Sequence, residues 1–185
     1  MPTKFKPPAT TCQNSFAKAN VAPVLHSGGP VLLVEDSEDD AILMRHAFDD
    51  LGPARRLHWV DNGNEAILYL CGHRQYSDRT QYPIPALILL DLKLPMQNGF
   101  EVLRWIRSYP AFATLPVVVL SDCLDARIVR RAYELGANSF LSKPHATERR
   151  REVVQALQHY WLSVNVTGFG ADQEKSISEN PGAAA

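Results

Sequence analysis

The chain has 185 residues, 45% of them hydrophobic, and a formal net charge of −1. That length fits one domain with tails, and the near-neutral balance, with no basic stripe interleaved with aromatics, argues against nucleic acid as a partner. No stretch of about 18 apolar residues occurs, so neither a membrane span nor a membrane partner is expected. The three cysteines, Cys12, Cys71 and Cys123, are widely spaced without a metal-ligand pattern. A reducing cytoplasmic compartment is the simplest expectation for such a set.

Residues 1–28 are rich in Pro, Thr, Ala and Lys without periodicity and read as a flexible arm. The first strand spans about 30–35 and runs into Glu35-Asp36. The first helix spans about 38–51, with Ile42, Leu43, Ala47 and Phe48 predicted on its apolar face. Ser37, with Asp40 three residues on, resembles a capping box, and Gly52-Pro53 ends the helix. A second strand at about 56–60 leads to Asn62 and Glu65, which open a helix carrying Ala66, Ile67, Tyr69 and Leu70. The polar, Pro-bearing stretch Gly72–Pro85 is long for a helix-to-strand connection and reads as an extended helix end plus a surface loop.

The third strand, about 86–90, is entirely apolar and closes on Asp91. Such a run bounded by turn residues is predicted to be buried on both faces. Asn98 caps a helix over about 99–109. A strand at 116–120 runs into Ser121, and Asp125 caps a helix over about 125–136, stopped by Gly136. A last strand at about 138–142 runs into Lys143-Pro144, and the last helix covers about 147–163. Residues 165–185 read as a disordered tail, which leaves 29–164 as one domain. Five strands alternating with five helices predict an α/β, flavodoxin-like, doubly wound parallel sheet in the order 2-1-3-4-5.

That topology gathers Glu35, Asp36, Asp91, Ser121 and Lys143 at the carboxyl edge of the sheet. Two carboxylates ~4 Å apart repel by about 1 kcal/mol in water and about 4 kcal/mol at an effective dielectric near 20. Glu35, Asp36 and Asp91 therefore hold together best around a divalent cation, and an all-oxygen set suits Mg²⁺. An aspartate carboxylate can itself accept a phosphoryl group. Lys143 and Ser121 supply a cation and a hydroxyl for its oxygens.

The stretches Val34–Asp36, Leu89–Pro95 with Gly99, Val119–Ser121 and Gly136–Pro144 together resemble the receiver domain of two-component response regulators. The similarity is greatest to stand-alone regulators that pair with bacterial and cyanobacterial phytochrome-type histidine kinases. The resemblance implies that Asp91 is the phosphoacceptor, loaded from a kinase phosphohistidine in a cytoplasmic signalling pathway. It implies Mg²⁺ held by Glu35, Asp36, Asp91 and the backbone carbonyl of Lys93. It further implies that Ser121 and Lys143 contact the phosphoryl group, that Phe140 swings inward as Ser121 moves, and that the Lys143–Pro144 bond is cis. Three positions depart from the pattern. Glu35 stands where many receivers have Asp, Phe140 lacks the hydroxyl of the more usual Tyr, and Asp122 follows Ser121 where a small residue is common.

Helix-start acids account for Glu38, Asp39 and Asp40, and a solvated, salt-bridged face for Arg149–Arg151 between Glu148 and Glu152. His46, His145 and His159 read as ordinary helix and loop residues. The apolar surface of the last helix (Val153, Val154, Leu157, Tyr160, Trp161, Val164) is wider than one core stripe needs and suggests a homodimer contact. With only some twenty polar residues after that helix, output is expected through protein contacts or onward phosphotransfer. The rival readings are a phosphorylation-independent module on the same fold and an aspartate-nucleophile phosphatase. The second of these would want an acid where Lys93 stands.

Overall fold

Side-chain caps set the helix starts. In the computed structural model, which describes residues 29–50, 56–95 and 98–166, Ser37 Oγ accepts from the Asp40 N–H at 3.3 Å and Asn62 Oδ1 from the Glu65 N–H at 2.9 Å. Asn98 Oδ1 accepts from the Glu101 N–H at 3.1 Å, and Asp125 Oδ1 from the Arg127 N–H at 2.8 Å. Caps of this kind stabilise by about 1 kcal/mol each. The helices they open are α1 (Glu38–Asp49), α2 (Gly63–Cys71), α3 (Gly99–Ser108) and α4 (Ala126–Glu134). The last, α5 (Thr147–His159), starts at Ala146 without a side-chain cap and continues into a wider, π-type turn over Tyr160–Val164. Gly136, with φ of 91°, ends the α4 region.

The strands are β1 (Val31–Val34), β2 (Leu57–Val60), β3 (Leu87–Asp91), β4 (Val117–Ser121) and β5 (Ser139–Ser142). All pairs are parallel, in the order β2-β1-β3-β4-β5. The predicted order is observed, and the five predicted helices are all present among the described residues. Alternation along the central strands divides the core. Leu32, Val34, Ile88, Leu90, Val117 and Val119 face one side, with residues of α2, α3 and α4. Val31, Leu33, Leu87, Leu89, Val118 and Leu120 face the other, with residues of α1 and α5. Both faces are covered, which is why these strands are continuously apolar.

Some predicted details are corrected. The buried stripe of α1 is Ala41, Met44, Ala47 and Phe48, whereas Ile42 and Leu43 are each 41% exposed. The i, i+3, i+4 spacing phases on Ala41, which places the two larger residues on the outer flank. Arg150 is 5% exposed, not part of a solvated face, although its neighbour Arg149 does pair with Glu152 at 2.9 Å. Cys71 is disulfide-bonded, so the fully reduced set expected from the sequence does not hold. The arm, most of the tail and the Gly52-Pro53 stop lie outside the described residues.

The stretch after α2 is built around one side chain. The helix stops at Gly72, whose φ of 67° favours glycine, and a short 3₁₀ turn follows at Arg74–Tyr76. The Arg79 guanidinium then donates to the carbonyls of Tyr69 (2.8 Å), Leu70 (2.6 Å) and Tyr82 (3.0 Å). Its planar fork gives the Leu70 carbonyl at the helix end a donor and ties the Tyr82 carbonyl of the loop to the same point. Tyr76 Oη donates to Glu65 at 2.7 Å, and Tyr69 Oη to the Pro83 carbonyl at 2.9 Å. The loop is thus tied back to α2 rather than extending it.

Candidate functional site

Apart from Phe140, which lies within β5, each predicted site residue sits at the carboxyl end of its strand or in the first residues beyond. Glu35 and Asp36 follow β1, Asp91 and Ser121 close β3 and β4, and Lys143 follows β5. Gly99 lets the loop after β3 close tightly. Its N–H donates to the Leu92 carbonyl at 3.1 Å, and a Cβ there would collide with the Asp91 carbonyl oxygen.

Lys143 draws the pocket together. Its Nζ donates to Asp91 Oδ2 at 2.8 Å and lies 2.7 Å from Glu35 Oε2 and 3.7 Å from Asp40 Oδ2. Glu35 and Asp91 are both 3% exposed, while Asp36 lies open to solvent. One carboxylate oxygen from each of Glu35, Asp36 and Asp91 lies within 4.8 Å of the other two. Asp91 Oδ1 accepts from the Lys93 N–H at 3.0 Å, which fixes the carboxylate's orientation. The Glu35 backbone is anchored as well, because Trp59 Nε1 donates to its carbonyl at 2.7 Å.

Burial and pairing compete at these charges. Burial pushes the Glu35 carboxyl above the usual range. Its hydrogen bond to Lys143 and that lysine's charge pull the other way, and the Asp91 charge adds to the upward push. Burial also acts to lower Lys143, but the hydrogen bonds and charges of Asp91 and Glu35 outweigh it, and the ammonium is held above an ordinary lysine. A single ammonium thus serves two buried carboxylates, with Asp40 at longer range. An additional cation would relieve that imbalance. Three converging carboxylates, one of them solvent-facing, form the hard oxygen set that Mg²⁺ favours.

Ser121 is buried at the same edge, and its Oγ accepts from the Cys123 N–H at 3.2 Å. Phe140 lies opposite Val119 on β5, half-buried against the core, and its N–H donates to Tyr133 Oη at 3.2 Å. The predicted cis bond is corrected. Every peptide bond among the described residues is trans, Lys143–Pro144 included. Trans is the lower-energy X–Pro isomer by about 0.5–1 kcal/mol. Lys143 reaches both carboxylates in that form while its N–H donates to the Ser121 carbonyl at 3.1 Å.

Sequence reasoning did not find three features here. Asp40, assigned to the helix start, also approaches Lys143. Asp122 pairs with His145, Oδ1 to Nε2, at 3.1 Å. The buried Arg150 lines a hollow with Glu35, Asp40, Lys143 and His145. The strand ends hinted at the first two, since both pairs bring together residues within six positions of a β-strand terminus.

The family model for the response regulator receiver domain matches residues 31–158. The probable methanogenesis regulatory protein FilR2 of Methanothrix harundinacea is 38% identical over 73% of this chain and 84% of its own length. Response regulator Rcp1 of Synechocystis is 34% identical over 71% of this chain and 88% of its own. The structure of its Mn(2+)-bound form covers 75% of this chain and 98% of its own, with a TM-score of 0.67 and 32% identity. The phosphorylated cyanobacterial phytochrome response regulator RcpA superposes with a TM-score of 0.69 at 31% identity, over 76% of this chain and 98% of its own. The chain belongs to the response regulator receiver domain family, and its fold is the flavodoxin-like receiver fold of the phytochrome response regulators. No helix among the described residues is long and apolar enough to cross a membrane.

Proposed function

We propose that this chain is a phosphoryl-accepting switch in which Asp91 takes a phosphoryl group from a phytochrome-type histidine kinase. The observation that carries this reading is the Lys143 ammonium bridging Asp91 and Glu35 inside one three-carboxylate pocket. The Asp91 carboxylate attacks the phosphorus of the phosphohistidine, the P–N bond breaks, and the imidazole leaves with the electron pair. Glu35, Asp36 and Asp91, with the Lys93 carbonyl, would hold Mg²⁺, which when bound would supply positive charge to offset that of the transferring group. Lys143 then contacts the phosphoryl oxygens, and Ser121 turns its hydroxyl from the Cys123 N–H toward them. Phe140 follows Ser121 inward, and the change reaches protein partners as a population shift. The chain is not a turnover enzyme on this reading; it catalyses at most its own phosphotransfer and dephosphorylation. The cytoplasm is the location, because the donor is charged from ATP there; the disulfide at Cys71 lends that location no support.

The test is transfer from a phytochrome-type histidine kinase autophosphorylated with radiolabelled ATP. Label is expected to move from the kinase band to this chain with Mg²⁺ and not with EDTA. Label that stays on every such kinase tried would overturn the pairing.

A homodimer through α5 is the second element of the reading. Tyr160 and Val164 in the turn that follows α5 are 52% and 56% exposed, beside the half-buried Trp161. Size-exclusion chromatography with and without Mg²⁺ and beryllofluoride is expected to give a dimer peak in at least one state. A monomer in both states removes the dimer.

A further inference from the structure

We infer that Asp122, held by His145, is a charge filter at the mouth of the Asp91 pocket that selects against free, highly anionic phosphodonors. The inference rests on Asp91 being the phosphoacceptor. Ser121 and Ser142 are register partners at the ends of β4 and β5, and the Lys143 N–H donates to the Ser121 carbonyl at 3.1 Å. The chain segments beyond them therefore leave the sheet side by side. Asp122 is the first residue out on one side, and His145 follows Lys143-Pro144 on the other. Their side chains meet at 3.1 Å, with 39% of Asp122 and 77% of His145 still exposed.

A pair so exposed contributes little to stability, and its position gives it another consequence. Asp122 directly follows the hydroxyl residue of the pocket, so a donor bound for Asp91 passes near its charge. The hollow on the other side of His145, whose charged lining is Glu35, Asp40, Lys143 and Arg150, includes neither Asp122 nor Asp91, so the charge at issue is that of Asp122 itself. Lys143 is committed to Glu35 and Asp91, which leaves the imidazole as the group in contact with Asp122. The rim therefore penalises a donor in proportion to its negative charge, and His145 relieves part of that penalty. A kinase that presents its phosphohistidine within a protein surface can bring cations of its own to Asp122, whereas a small donor cannot.

Two small donors separate this charge effect from a structural one. Acetyl phosphate is a dianion at neutral pH; Asp91 attacks phosphorus, the P–O bond breaks, and acetate leaves with the electron pair. Phosphoramidate carries one net negative charge; the P–N bond breaks and ammonia leaves with the protons already on nitrogen. Rates of phosphorylation with Mg²⁺ at low ionic strength are the readout. Asp122→Asn, which keeps shape and exposure, is expected to raise the acetyl phosphate rate on the order of tenfold and the phosphoramidate rate by only about threefold. His145→Arg is expected to move the ratio the same way, His145→Ala the opposite way, and added salt to compress every difference.

Equal effects of Asp122→Asn on both donors, or none, would overturn the filter even with Asp91 labelled normally. A wild-type chain that neither donor labels, or an Asp91→Asn variant that both label, would instead refute the phosphoacceptor reading beneath it. Should Asp122→Asn fail to fold by circular dichroism, the two His145 variants decide the matter through the same ratio.

Discussion

Replacing Lys143 with methionine is expected to lower the free energy of unfolding by about 3 kcal/mol. Methionine keeps most of the side chain's length and apolar stem but removes the ammonium, which is only 12% exposed, from between two carboxylates that are each 4% exposed. Glu35 and Asp91 would then face each other buried and uncompensated, the situation that makes loss of one partner of a buried pair so costly. Mg²⁺ is expected to recover part of the loss, and to raise the midpoint of the variant more than that of the parent chain. Glu35→Gln should be milder, because burial already disfavours the ionised form of that residue. Urea melts of the three proteins with and without Mg²⁺ check this. An unchanged midpoint for Lys143→Met would show that the ammonium does not hold the pocket together.

Much of this molecule is legible in the sequence because its signals are local. Ser37, Asn62, Asn98 and Asp125 announce four helices, and each caps its helix as expected. The all-apolar runs at β1, β3 and β4 can be satisfied only with both faces covered, which fixes the layer architecture. Strand-end placement then brings Glu35, Asp36, Asp91 and Lys143 together without any long-range information, although Lys143 and Glu35 stand 108 positions apart.

The unread parts depend on how elements pack. Ile42 and Leu43 are apolar but lie off the stripe set by Ala41 and Met44, a matter of helix phase that composition does not reveal. Arg150 sits in a run of three arginines, and only the seating of α5 against α1 separates the buried one from its exposed neighbours. Arg79 looks like a loop residue until three carbonyls converge on it. The Asp122–His145 contact needs the register of β4 against β5, which the sequence suggests only as an ordering of strands. The trans bond at Pro144 follows from a pocket that closes without the rarer isomer.

The largest effect belongs to Asp91→Asn, which is expected to abolish phosphorylation. Asparagine has the same shape, and its Oδ1 can still accept from the Lys93 N–H as Asp91 does at 3.0 Å. An amide, however, offers no anionic oxygen to attack phosphorus, so no acyl phosphate can form. Circular dichroism would confirm that the variant folds, so a missing label would report chemistry rather than unfolding. The deciding measurement is intact mass after incubation with acetyl phosphate and Mg²⁺. The parent chain should gain the mass of one phosphoryl group, dependent on the metal, and Asp91→Asn should gain none. Equal labelling of the two proteins, or a phosphoryl group mapped to a peptide without Asp91, would contradict the assignment of this pocket as the site of phosphoryl transfer.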